Sequence, residues 1–256
     1  MTKQFTSVWT REPRQPKTTG LRLEQIVAAA VELLDAEGLD ALSMRKLGAK
    51  LGAGATSIYW YVANKDELLE LTLDEIWGLV ETPDPAEASW REVVTTYGYN
   101  LRATLLAHPW AAILSGQLPS MGPNAFRLSD RLRRTLTQAG FTGVDVYLAA
   151  GTVTSYVLGQ VVPEITLAKV YNDDDYDIDY LMQMMEPYRD EYPEMLDEYR
   201  KAIPADLSSG RAVAFDFGLL CVMDGLESRL RAGPAQHPSP PSTQPSRQVR
   251  REASGA

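Results

Sequence analysis

Leu42-Ser43-Met44-Arg45-Lys46-Leu47-Gly48-Ala49-Lys50-Leu51-Gly52-Ala53-Gly54-Ala55-Thr56-Ser57-Ile58-Tyr59-Trp60-Tyr61-Val62 is the stretch whose reading decides the fold. Ser43 is a good N-cap for a short helix carrying Met44, Leu47 and Leu51, which Gly52 ends. A second short helix follows around Thr56 to Tyr61, after Gly52-Ala53-Gly54-Ala55. The spacing is what a helix-turn-helix requires: small Gly48 where the two helices cross, Gly52 in the turn, and Leu47, Leu51 and Ile58 filling the angle between them. The other side chains of the second helix can then enter a major groove. The competing reading is a small helical head with no DNA role, in which Ile58, Tyr59 and Trp60 are all core. Within the first reading, Ile58 and Trp60 are expected in the core and Tyr59 at the surface. Lys46 and Lys50 read as a solvated helix face that could also touch phosphates.

Working outward, Leu23, Ile26, Val27, Ala30, Leu33 and Leu34 recur at helical spacing and place a first helix over about 21 to 37. Asn64 caps a longer helix from Lys65 to about Val80, broken by Pro83 and Pro85. Further helices are expected over roughly 88 to 107, 110 to 117, 124 to 139, 144 to 161, 178 to 202 and 210 to 231. No segment alternates with period two long enough to be a strand, so the class is all-α. The domains expected are a flexible basic arm over 1–19, a three-helix helix-turn-helix head within 20–80, a larger helical ligand-binding and dimerisation body over 84–232 and a disordered Pro- and Ser-rich tail over 233–256.

The 256 residues, 45% hydrophobic, suffice for a small head and a larger body. No apolar run reaches eighteen residues and the first residues lack a secretory stretch, which points to a soluble, cytoplasmic protein. The single cysteine, Cys221, excludes a disulfide frame and a thiolate metal site, and it reads as a buried small residue. The net charge of −9 argues at first against a nucleic-acid partner, yet its distribution is uneven. Lys3, Arg11, Arg14, Lys17, Arg22, Arg45, Lys46, Lys50 and Lys65 gather in the head, whereas eleven acids between Asp173 and Glu198 face only Arg189.

Taken with Asn64-Lys65-Asp66-Glu67-Leu68-Leu69, the opening stretch resembles the tetracycline-repressor (TetR) family over about residues 20 to 80. The body is similar to the tetracycline-repressor-type C-terminal domain through Leu105-Leu106-Ala107-His108-Pro109, Gln138-Ala139-Gly140-Phe141 and Tyr156-Val157-Leu158-Gly159. The resemblance implies a homodimeric regulator, with repression as the default sign, released from a palindromic operator by a small-molecule effector. It implies base contacts by Arg45, Ala55, Thr56 and Tyr61, and phosphate contacts by Ser57, Tyr59 and Lys65. It also implies an effector cavity in the body, for which Trp110, Leu114, Gln117, Phe126, Tyr147, Thr154 and Tyr156 are the candidate lining. The implied dimer seam runs along 144 to 161 and 210 to 231, with Val144, Leu148, Val153, Val157, Val213, Phe217, Leu220 and Met223 as its apolar positions. An ordinary intrachain core would give those eight residues the same pattern. Ser115 stands where the family's metal-binding histidine falls, so a magnesium-chelated drug is not the expected effector. His108 reads as a helix-end hydrogen-bonding residue.

Asp173-Asp174-Asp175-Tyr176-Asp177 invites an enzyme reading, because isoprenoid synthases hold magnesium and diphosphate on an aspartate-rich box. No second box accompanies it, and a Ca²⁺ loop fails because Gly is missing at the sixth position and Met184 stands at the twelfth. An acidic surface loop is the expectation, with no catalytic residue, no metal and no cofactor. A carrier that has lost DNA binding is disfavoured because Arg45, Ser57, Tyr59 and Lys65 are all present.

Overall fold

The computed structural model describes residues 7–10, 20–168, 177–203 and 206–233. Every long regular element among them is helical. The head holds α1 (Leu23–Glu37), α2 (Met44–Lys50), α3 (Ala55–Ile58) and α4 (Lys65–Gly78). Ser43 caps α2 by accepting from the Lys46 amide at 3.2 Å, and Asn64 caps α4 by accepting from Glu67 at 2.8 Å. Ile26, Leu34, Leu47, Ile58 and Leu68 close the core between these four helices. Two glycines fix the angle of α2 to α3. Gly52 adopts φ +64, and a Cβ on Gly48 would lie 2.8 Å from the Ala53 carbonyl oxygen and 3.1 Å from the Ala55 nitrogen.

The body holds α5 (Trp90–Ala107), α6 (Pro109–Leu114), α7 (Pro123–Ala139), α8 (Asp145–Ala168), α9 (Ile178–Met185), α10 (Pro193–Ala202) and α11 (Leu207–Ala232). α5, α7 and α8 pack on one another, α11 lies against α8 and α5, and α7 also packs on α4 of the head. α11 contributes Phe215, Leu219, Met223 and Leu226, all buried and spaced at three or four residues, so one stripe of a long helix faces the core.

The expected single helix over 178–202 is three pieces: α9, a 3₁₀ turn at Glu186–Tyr188, and α10. Pro187 and Pro193 remove amide donors at the two breaks. α8, expected to stop near 161, runs through Pro163 to Ala168. Gly159, whose carbonyl loses its partner to that proline, belongs to the exposed side of the helix, where water can replace the lost donor. Cys221 is exposed on α11, contrary to its expected burial. The stretch Asp173–Tyr176, the tail beyond Gly233 and the basic residues Lys3, Arg11, Arg14 and Lys17 lie outside the described residues. Residues 7–10, expected in a flexible arm, form a 3₁₀ turn against α4.

Candidate nucleic-acid interface and ligand cavity

The α2–turn–α3 unit presents Arg45 and Thr56 to solvent, with Tyr59 46% exposed just beyond α3. Of the other expected contacts, Ser57 is half-buried, and Ala55 is half-buried against the head core. Tyr61 is also half-buried, and its hydroxyl donates to the Leu21 carbonyl at 2.5 Å, tying the end of the unit to the start of the head. Lys65 donates its ammonium to the Leu39 carbonyl at 2.9 Å, leaving two of its three N–H groups for another acceptor. Trp60, expected in the core, is 47% exposed; Ile58 plugs the angle together with Leu47, both fully buried. Lys46 pairs with Glu37, and Lys50 with Glu32 at 2.9 Å, so both lie in a charged seam with α1.

A cavity of about 580 Å³ opens in the body between α4, α5, α7 and α8. From the expected lining it takes Phe126, Tyr147 and Thr154. Trp110 and Leu114 are buried elsewhere, and Trp110 donates its indole N–H to Asp35 at 2.6 Å. Gln117 is exposed, while Tyr156 turns to α11 and donates to the Phe215 carbonyl at 2.8 Å. Trp77 and Tyr97, which the sequence reading did not single out, are in the wall. Thr154 gives its proton to the Ala150 carbonyl at 3.0 Å, so the 2.7 Å contact with Tyr97 is one in which Tyr97 donates. Burial pushes the Tyr97 phenol up to about 12, against the opposing effect of that hydrogen bond, and it stays neutral at physiological pH.

The wall does not fit a magnesium chelate. Ser115 donates to the Ala111 carbonyl at 2.7 Å, and a hydroxyl is a poor substitute for imidazole. Asp130, the one carboxylate in the lining, is paired with Arg133 at 2.7 Å and Arg134 at 3.0 Å. Those guanidinium groups hold its carboxyl below the ordinary carboxylate value.

Besides the packing of α4 on α7 and α6, two carboxylates of the head bond to the body. Asp35 on α1 accepts from the Trp110 indole at 2.6 Å and meets His108 Nδ1 at 2.8 Å, so His108 is the helix-end hydrogen-bonding residue expected. Asp74 on α4 accepts from the Asn124 amide at 3.2 Å and the Ala125 amide at 2.9 Å, at the start of α7. One turn back on α4, buried Glu70 accepts from the Ser7 hydroxyl and, at 3.3 Å, from the Val8 amide. Val8 and Trp9 pack on the core beside it.

The exposed bihelical unit, carried on a four-helix head beside a cavity-bearing helical body, defines a helix-turn-helix regulator. Residues 26–72 match the family described as bacterial regulatory proteins, tetR family, and residues 82–230 match the tetracyclin repressor-like C-terminal domain. The chain belongs to the TetR family of transcriptional regulators. It is 45% identical over 159 residues to an HTH-type transcriptional regulator of Saccharopolyspora erythraea, covering 62% of this chain and 67% of that one. Apo ActR from Streptomyces coelicolor superposes with a TM-score of 0.71 at 29% identity, over 84% of this chain and 99% of ActR. ActR solved with actinorhodin gives 0.69 at 27%, over 82% and 97% of the two chains. BioQ solved with its double-stranded DNA operator gives 0.55 at 28% identity, over 82% of this chain and 99% of BioQ. No helix among the described residues is long and apolar enough to cross a membrane.

Proposed function

We propose that this regulator is a repressor that binds a palindromic operator as a homodimer and releases it when a small, mostly apolar molecule enters the body cavity. The observation that carries this reading is the position of Trp77, which belongs to α4, the last helix of the head, and stands in the cavity wall of the body. A ligand that fits only when α4 is displaced must move the head, and its differential affinity for the two positions sets the degree of release. The ligand-bound ActR and operator-bound BioQ relatives support both halves of the reading.

Exposure sorts the candidate dimer seam. Val153, Val157 and Met223 are buried within the chain, whereas Val144, Leu148, Val213, Phe217 and Leu220 on or beside α8 and α11 are each at least half exposed. Five such side chains make an apolar patch that a second copy would cover. Two heads so joined would read half-sites about 34–36 Å apart. Arg45 and Thr56 are assigned to base edges, with Ala55 and Tyr61 beside them; Ser57, Tyr59 and Lys65 are assigned to phosphates. No catalytic step is assigned to the chain.

The test is selection of short duplexes by the purified protein, followed by fluorescence anisotropy and sedimentation. Enrichment of one palindrome bound by two copies is the expected result. Binding only at low salt with no enriched sequence would overturn the operator reading.

A further inference from the structure

α7 begins at Gly122-Pro123, a start that lacks its own cap. Gly122 stands at the N-cap position with no side chain to accept from the first turn, and Pro123 has no N–H. The first free amides are those of Asn124 and Ala125, and both donate to the carboxylate of Asp74 on α4. Asp74 is 5% exposed, so its charge is lodged at the positive end of a 17-residue helix and shielded from water. A Cβ on Gly122 would lie 2.2 Å from the Asp74 carboxyl carbon; no other residue fits while the carboxylate is in place. One residue of the connecting helix therefore caps a helix of the body.

The two carboxylate contacts between head and body differ in what they reach. Asp35 binds Trp110 and His108, neither of which lines the cavity, whereas Asp74 holds the helix that contributes Phe126, Leu128 and Leu132 to its wall. We infer that Asp74 is the positioning residue that ties α4, with Trp77 in the cavity wall, to α7: α7, displaced by a ligand, draws α4 with it through the capped amides, while the Asp35 contact acts as the pivot. This rests on the cavity-driven release proposed above. A buried carboxylate on two amides is stiff in a way apolar contact is not, because sliding either helix leaves a charge and two donors unsatisfied.

The experiment installs a fixed occupant, so that no natural ligand is needed. In a Cys221→Ser background, Ser155→Cys places a thiol on the α8 wall for alkylation with monobromobimane. Anisotropy then reads affinity for the selected operator before and after alkylation. With Asp74 intact, alkylation is expected to weaken binding about tenfold, within the range of ordinary allosteric coupling. In Asp74→Asn, unalkylated affinity is expected to stay near the parent's and alkylation to change it less than about twofold. Gly122→Ala, which forces the same contact apart from the α7 side, should behave alike. Asp35→Asn should keep the response. Release of the Asp74 and Gly122 variants as fully as the parent overturns the joint alone. No release of the alkylated parent overturns the cavity reading, and the joint falls with it.

Discussion

The head works with helices of seven and four residues, α2 and α3, whereas the body is built on helices of 17, 24 and 26 residues, α7, α8 and α11. Helices below about 12–15 residues are marginal on their own, so α2 and α3 exist only because Leu47, Ile58 and the close approach at Gly48 hold them. The body helices are long enough to persist locally, and what needs fixing is their placement against one another. Function divides along the same line: the head offers a surface set by a few buried groups, and the body offers a cavity whose shape depends on how long rods lie together.

Paired truncations give the largest test of that division. Leu47→Ala and Leu105→Ala each remove a fully buried leucine side chain, and each should cost about 2–5 kcal/mol. In Leu47→Ala the loss should fall on α2 and α3: hydrogen exchange there accelerates and operator binding disappears, while amides of α5 and α8 keep their protection. In Leu105→Ala the body should lose protection as a unit. If both variants raised exchange uniformly over the whole chain, head and body would be one cooperative unit and the comparison would fail.

Gly48→Ala probes the crossing more gently. The added methyl meets backbone at 2.8 Å, which cannot rotate away, so a cost of about 1–3 kcal/mol is expected, with weaker operator binding at an unchanged body transition. Urea unfolding followed by circular dichroism gives the first quantity and anisotropy the second. Gly52→Ala strains φ without a clash, and the contrast between the two separates space from backbone conformation. Smaller still are the surface changes. Arg45→Ala should cost about 1–3 kcal/mol of discrimination at one base pair. Lys65→Ala should weaken all sequences alike and reduce the slope of log affinity against log salt by about one. An unchanged slope would confine Lys65 to its bond with Leu39.

How much of this was legible in the sequence follows from the same contrast. The Ser43 and Asn64 caps, Gly52 in the turn and buried Ile58 could be read because each depends on residues within four positions of itself. The cavity could not be read as well. Phe126, Tyr147 and Thr154 were found, but Trp77 sits on an apolar stripe of α4 that looks the same whether it meets core or cavity, and Tyr97 is likewise one of several buried positions on α5. Asp74 was invisible for a firmer reason. Its partners lie 50 and 51 residues away, and an acid within a helix carries no mark of the helix start it caps. Trp60 misled because a large aromatic residue is usually buried, yet it follows the end of α3 and stands two residues from Ile58, a spacing that does not share the helix face Ile58 buries. Ser7–Thr10 lacks periodicity altogether, and only its contact with Glu70 gives it a place.

That contact supplies the smallest and most selective prediction, since it titrates in the head alone. Burial raises the Glu70 carboxyl above its ordinary value of 4.5, with nearby Glu67 and Asp66 adding to the rise and the Ser7 and Val8 hydrogen bonds opposing it. An acid whose value is higher folded than unfolded binds its proton more tightly in the native state. Its contribution is therefore fully present below 4.5 and is lost as pH climbs through the raised value. Glu70→Gln is neutral throughout, so its stability relative to the parent should increase over that window and level off above it. Ser7→Ala removes the stronger of the two opposing hydrogen bonds and should move the upper edge of the window to higher pH. Urea midpoints across a pH series, read on the α2–α4 amides, would show both effects. Parallel curves for the parent and Glu70→Gln would mean that the Ser7–Thr10 turn does not stay over Glu70 in solution.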